Sequence, residues 1–209
     1  MEETNNTTQL LSGNEMFTLN GTPQGFDVRS FWRFQFSNLS DMQGEVGEFV
    51  VSMALNNVLP NNKCGWTHWD INYGATKVEV KTTSYYQPWR SKKTDAEGNE
   101  VENISEHRAF SIRKSHKDWN DPTSELIRHS DIYIFVLDIG KTETTANPLH
   151  LENWRFWVIP TKLINDKCND NKSISLGKVK RLAKMRHFPE DGVGFADLRQ
   201  AVDNAISEL

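Results

Sequence analysis

The sequence predicts one α/β domain with a central mixed sheet flanked by helices, and three observations carry that prediction. Residues 131–138, D-I-Y-I-F-V-L-D, form a short continuous apolar run, the pattern of a strand covered on both faces. Residues 77–83, K-V-E-V-K-T-T, alternate with period two, so Val78 and Val80 share one face while Glu79 and Lys81 share the other. Apolar residues at helical spacing lie on both sides of these strands in sequence, at Val46–Leu55 and at Leu198–Ile206.

Taken in order, residues 1–25 are polar and turn-rich and are expected to form a flexible arm, with 26–209 as the single domain. The run Phe31-Trp32-Arg33-Phe34-Gln35-Phe36 is too aromatic for a solvated tail and is expected to pack on the body or on a second copy. Ser40 or Asp41 is the expected N-cap of a helix from about Met42 to Leu55. Its main buried stripe is expected at Val46, Phe49, Val50, Met53 and Ala54. Asn56 to Asn62 ends it, and the turn at Asn72–Ala75 folds the chain back into the Lys77–Thr83 strand. Ser91–Glu106 is charged and reads as a mobile loop. A strand is expected at Arg108–Arg113 and a short helix near Ser124–Arg128. Trp154–Ile159 pairs as an antiparallel hairpin with the preceding strand, and Pro160 stops it. A short helix at Thr161–Asn165, a small edge strand at Ile174–Leu176 and helices at Leu176–Ala183 and Phe195–Leu209 complete the chain.

Bulk composition limits the functional classes. The chain has 209 residues, 37% of them hydrophobic, seven of them Trp, and a net charge of −4, which suffices for a core and disfavours a general coating of nucleic acid. No run approaches the roughly 18 apolar residues of a membrane helix. Met1 is followed by acidic and Asn/Thr-rich residues, not by a leader, so a cytoplasmic protein without a membrane is expected. Cys64 and Cys168 match no metal spacing and read as reduced thiols. His107, His116 and His129 have no ligand spacing either.

The chemistry concentrates between residues 48 and 87. Asp70 precedes the turn and can return beside Glu79. Two carboxylates and the Lys81 ammonium at one strand suit a hard divalent cation and a phosphate. The Val80 carbonyl faces the same region, and Glu48, near a second apolar patch of its helix, is costly unless paired or near a metal. Lys81 would hold a water or neutralise phosphate oxygens, and Gln87 follows the strand at a position to orient a water or touch the phosphate. An E-x-K pair is also an ordinary surface ion pair, and Trp89 and Trp119 are as readily packing residues as base-stacking ones.

With Glu48 on a helix, Asp70 at a strand turn and Glu79-Val80-Lys81 on the next strand, the sequence resembles the PD-(D/E)XK nuclease superfamily. Gly44 four residues before Glu48 fits that family's helix start and favours Glu48 over Glu45, while Trp69 replaces the proline of the name motif. The wider run, with F-W-R-F-x-F-S, V-E-V-K-T-T-S-Y-Y-Q-P-W and F-W-V-I-P, is similar to an uncharacterised bacterial group of that superfamily over roughly residues 30–190. The resemblance implies a restriction-endonuclease-like αβββαβ core. It also implies DNA cleavage dependent on Mg²⁺ or Mn²⁺, with Asp70, Glu79, Val80 and Glu48 at the metal and Glu48, Asp70, Glu79, Lys81 and Gln87 in catalysis. Duplex cutting would be easiest for a symmetric homodimer. A catalytically silent nucleic-acid-binding protein that keeps the fold and a small-molecule phosphodiesterase are the rival readings. Between Lys162 and Arg186 eight basic residues face two acids, a plausible phosphate-binding stripe. Arg108, Arg113, Lys114 and Lys117 form a second basic cluster.

Overall fold

The computed structural model describes residues 11–37, 39–55, 67–87, 92–102, 107–142 and 144–209. Cys64, Trp89 and the expected helix terminator at Asn56–Asn62 lie outside them. The architecture is α/β with a central mixed sheet. Strand β1 (Met16–Leu19) and strand β2 (Thr22–Asp27) pair as a hairpin, followed by helix α1 (Val28–Gln35). Helix α2 (Gln43–Ala54) leads to β3 (Ile71–Tyr73) and β4 (Thr76–Ser84). After four short strands, β5 (Lys92–Thr94), β6 (Glu100–Glu102), β7 (Ala109–Ser111) and β8 (Ser115–His116), come β9 (Leu126–Ile127), β10 (Ile132–Asp138) and β11 (Trp154–Pro160). Helix α3 (Thr161–Cys168), strand β12 (Ser173–Ser175), helix α4 (Leu176–Met185) and helix α5 (Leu198–Ile206) close the chain.

The main sheet has the order β11-β10-β4-β3. Strand β10 runs parallel to β4, with Tyr133 opposite Glu79 and Phe135 opposite Lys81, and antiparallel to β11. All seven residues of β10 are buried, as a strand between two others and between two layers must be. One face carries Val78, Val80, Ile134, Trp154 and Phe156 under α2 and α5. The other carries Tyr133, Phe135, Leu137, Trp157 and Ile159 under α3 and α4. This three-layer arrangement puts an apolar core on each side of the sheet. The expected αβββαβ order is not reproduced as such, because among the described residues no helix stands between β4 and β11 apart from a 3-10 turn at Leu151–Asn153.

Several local expectations change. Ser40 and Asp41 lie in a 3-10 turn (Leu39–Met42), and Met42 takes the cap position of α2 without a side-chain hydrogen bond. The buried face of α2 is Gly47, Val50, Val51 and Ser52, while Phe49 is 50% exposed and Met53 45%. The reason is Gly47. A Cβ there would lie 2.0 Å from Thr82 Oγ1, so the helix rests on β4 through its glycine and its two aromatic and thioether side chains turn outward. Residues 92–102 of the expected mobile loop form the β5–β6 hairpin. The expected helix near Ser124–Arg128 is instead β9, paired with β8, because Arg128 turns inward. In the aromatic run Phe31–Phe36, Phe31 and Phe34 are exposed, and Phe36, 44% exposed, lines a groove with Val46 and Phe49 of α2. Part of the expected arm is ordered as β1–β2, with every residue but Asp27 exposed.

Asp138 ends β10 as a buried acid whose Oδ1 accepts from Gly140 N at 2.9 Å. Burial raises its pKa above the ordinary value of 3.8, against the lowering by that hydrogen bond. A raised folded-state pKa means that the folded protein binds the proton more tightly than the unfolded chain. The site is therefore least costly below pH 3.8, and stability falls as pH rises through the raised value. Asp138→Asn keeps an oxygen for Gly140 and removes the charge. Its urea midpoint is expected to exceed that of the wild type at pH 7 and to converge with it below the ordinary carboxylate range; equal or lower values at pH 7 would contradict the argument.

Candidate metal and phosphate site

The site lies where β4 outruns its neighbour. Strand β3 pairs only as far as Val78, so among the described residues no strand pairs with the edge of β4 beyond it. Asp70 stands where β3 would have continued. Its backbone N–H donates to Val78 O at 3.0 Å, and its Oδ2 accepts from Val80 N at 2.7 Å. A residue in a strand points its N–H and C=O to the same side, so the Val80 carbonyl faces this same edge.

The segment before Asp70 is held by rings. His68 stacks on His129 at 3.7 Å and meets Trp119 at 4.6 Å, while His129 Nε2 lies 3.0 Å from His116 O. Trp69 donates to Asn72 Oδ1 at 2.7 Å and carries Lys77 Nζ 4.4 Å above its ring. Burial, the His129 charge and Lys77 hold the His68 imidazole below its ordinary pKa. Trp119 is thus an anchor for the segment that presents Asp70. His129, without metal spacing in sequence, joins the same stack.

Glu79 and Lys81 project together from β4 and form an ion pair with each other. Glu79 is pushed above the ordinary carboxylate range, first by burial and then by the Asp70 charge, with Glu48 adding to it and Lys81 opposing it. Burial alone would lower Lys81; Glu79, Asp70 and Glu48 outweigh it and hold the ammonium charged. The two upward shifts look contradictory for one ion pair, since a pair normally lowers its acid. Among the described residues the fields of three carboxylates, Glu79 in contact and Asp70 and Glu48 at longer range, reach the Lys81 ammonium, while Glu79 feels burial and two like charges against it.

Glu48 follows Gly47 on α2, and its field reaches both Glu79 and Lys81. Among the described residues no three His, Cys, Asp or Glu side chains are gathered as a metal-holding group. Asp70, Glu79 and the edge carbonyl of Val80 are a donor set that suits Mg²⁺, which takes one or two carboxylates and keeps several waters. Gln87 accepts from Arg108 Nη1 at 3.3 Å, and Arg108 also donates to Tyr85 O. Ser84 Oγ donates to Gln43 Oε1 at 2.8 Å on the α2 side of β4, away from Glu79 and Lys81.

Sequence reasoning missed Tyr133, and it set Arg108 in a basic cluster without its burial. Tyr133 sits beside Glu79 on the same face of the sheet, and its phenol is pushed up by burial and by the Glu79 charge. The one signal was a hydroxyl inside an otherwise apolar run. Arg108 is buried, although its sequence neighbours mark it as a surface cation. The basic stripe is less uniform than its sequence count. Lys180, Lys184 and Arg186 meet Asp191, Glu190 and Glu208, acids from beyond the counted window. Among the described residues Lys162, Lys167, Lys172, Lys178 and Arg181 have no ion-pair partner.

Compared with family models, curated proteins and solved structures, the chain matches none.

Proposed function

We propose that the protein is a Mg²⁺-dependent nuclease that hydrolyses DNA phosphodiester bonds, with its centre at the edge of β4. The observation that carries this reading is the placement of Asp70, Glu79 and Lys81 at one strand edge: Asp70 accepts from Val80 N, Glu79 pairs with Lys81, and the Glu79 pKa is raised first by burial and then by the Asp70 charge even with Lys81 in contact. Such a cluster is costly in an apolar fold unless it receives a cation. The place of Asp70 before a short strand, with Glu79-Val80-Lys81 on the next, supports kinship with the restriction-endonuclease-like nucleases.

Asp70, Glu79 and the Val80 carbonyl would hold the ion, which when bound polarises a phosphoryl oxygen and acidifies a water. Lys81 keeps its proton among three carboxylates and neutralises charge growing on the phosphate oxygens. Glu48 adds negative field from α2. Tyr133 closes the floor beside Glu79 with a neutral phenol. Gln87, held by Arg108 beyond the end of β4, would orient a water or contact the phosphate. The unpaired lysines of α3 and α4 supply phosphate contacts.

The test is a cleavage assay of the purified chain on plasmid, single-stranded and branched DNA, with Mg²⁺, with Mn²⁺ and with EDTA. Product should form with either metal and vanish with chelator. DNA binding without cleavage under all metal conditions would favour the catalytically silent reading. Hydrolysis of small phosphodiesters alone would favour the phosphodiesterase.

A further inference from the structure

The exposed apolar side chains of this chain are not scattered. Among the described residues sixteen large hydrophobics stand exposed, and twelve of them fall in residues 11–36, on α2 (Phe49, Met53) or at Leu149 and Leu151. Single exposed apolar residues need no explanation, but concentrations of this kind mark interaction surfaces.

Two shapes emerge. The first is a groove of about 550 Å³ whose walls include Phe36, Val46, Phe49, Leu149 and Leu151, with Glu45 as its one charged residue. The second is the unit formed by β1, β2 and α1. It is braced internally: Trp32 packs on Gly13, where a Cβ would lie 2.9 Å from the indole, and Val28 N donates to Glu15 O at 3.0 Å. Asp27 caps α1 by accepting from Ser30 N at 2.8 Å. Among the described residues no hydrogen bond or ion pair joins residues 11–37 to residues 39–209. A lone two-stranded hairpin with a two-turn helix does not hold itself in water. Its outer side nevertheless presents Phe31 and Phe34 one helical turn apart, Phe34 being 79% exposed, and Arg33 beside them has no ion-pair partner among the described residues.

We infer that two copies of this chain pair by exchanging arms. The α1 helix of each lies in the groove of the other, with Phe31 and Phe34 on the apolar walls and Arg33 against Glu45. Ridge and groove belong to one sequence and match in apolar character and in charge, as a two-fold contact requires. The pairing stands whether or not the β4 edge is a nuclease site.

Sedimentation velocity of the full chain over a hundredfold concentration range tests it. The wild type is expected to be a dimer. Arg33→Glu and Glu45→Arg should each weaken it by about tenfold, the worth of a rim-to-partly-buried charge pair, and the double reversal should restore it. Phe31→Glu with Phe34→Glu should leave a monomer of unchanged circular dichroism. A wild type that is monomeric throughout overturns the inference, as does a dimer indifferent to the Phe31/Phe34 variant or a double reversal no tighter than the single ones. A monomer that floats with anionic lipid vesicles overturns it too and assigns the patch to a membrane surface.

Discussion

Lys81→Met is expected to lower Mg²⁺-dependent DNA cleavage by about 10²–10³-fold, the loss typical of removing one preorganised electrostatic group from a reacting centre. The methionine keeps the length of the stem and its packing on β4, so circular dichroism and the urea midpoint should change little by comparison. What disappears is the ammonium that Glu79, Asp70 and Glu48 hold charged. Arg at the same position keeps the charge but spreads it over a planar fork, and it should recover only part of the rate. Asp70→Asn should cause a comparable loss with a different signature. Its amide can still accept from Val80 N, so the turn survives, but more Mg²⁺ will be needed to reach half-maximal rate. Initial rates on plasmid DNA across a Mg²⁺ titration measure both. Unchanged rates in the two variants would remove the site from the edge of β4.

Arg128→Ala carries the largest expected loss of stability, about 3–5 kcal/mol. The guanidinium is buried and spends all of its nitrogens. Nε donates to Ile112 O at 2.8 Å and Nη1 to Asn165 Oδ1 at 2.7 Å, while Nη2 reaches the carbonyls of Cys168, Asn169 and Asn171 at 3.1–3.4 Å. Those last carbonyls belong to the end of α3 and the turn after it, where a helix leaves its acceptors unsatisfied and its dipole favours a cation. Alanine strands several buried acceptors at once and opens a hole between β9, α3 and the 169–171 turn. Lysine can serve only some of them and should fall between the two. Equilibrium urea unfolding measures the difference; a loss below about 1 kcal/mol would mean that water replaces the guanidinium easily.

Much of the sheet was legible because its signals are local. The apolar run 132–138 has one plausible fate, and the K-V-E-V-K alternation sets which side chains share a face whatever surrounds it. Helix α5 announces itself by the helical spacing of Leu198, Ala201, Val202, Ala205 and Ile206. Asp70, Glu79 and Lys81 were legible as a group for the same reason, since a turn and a two-residue spacing bring them together at short range.

What the sequence left open depended on contacts between distant segments. Helix α2 offers two apolar stripes, and spacing cannot choose which one meets the sheet; Thr82, 35 residues beyond Gly47, makes the choice by fitting against a missing side chain. Arg128 looks like the exposed end of a short helix until three carbonyls near residue 170 draw it inward. The basic stripe loses three of its members to acids that follow it in the chain. The local geometry around Asp70 thus follows from its own residues. Its electrostatics do not: the strength of a charge depends on how far water is excluded and on which other charges share the space, and Glu48, Tyr133 and the walls of the sheet were placed there only by the tertiary fold.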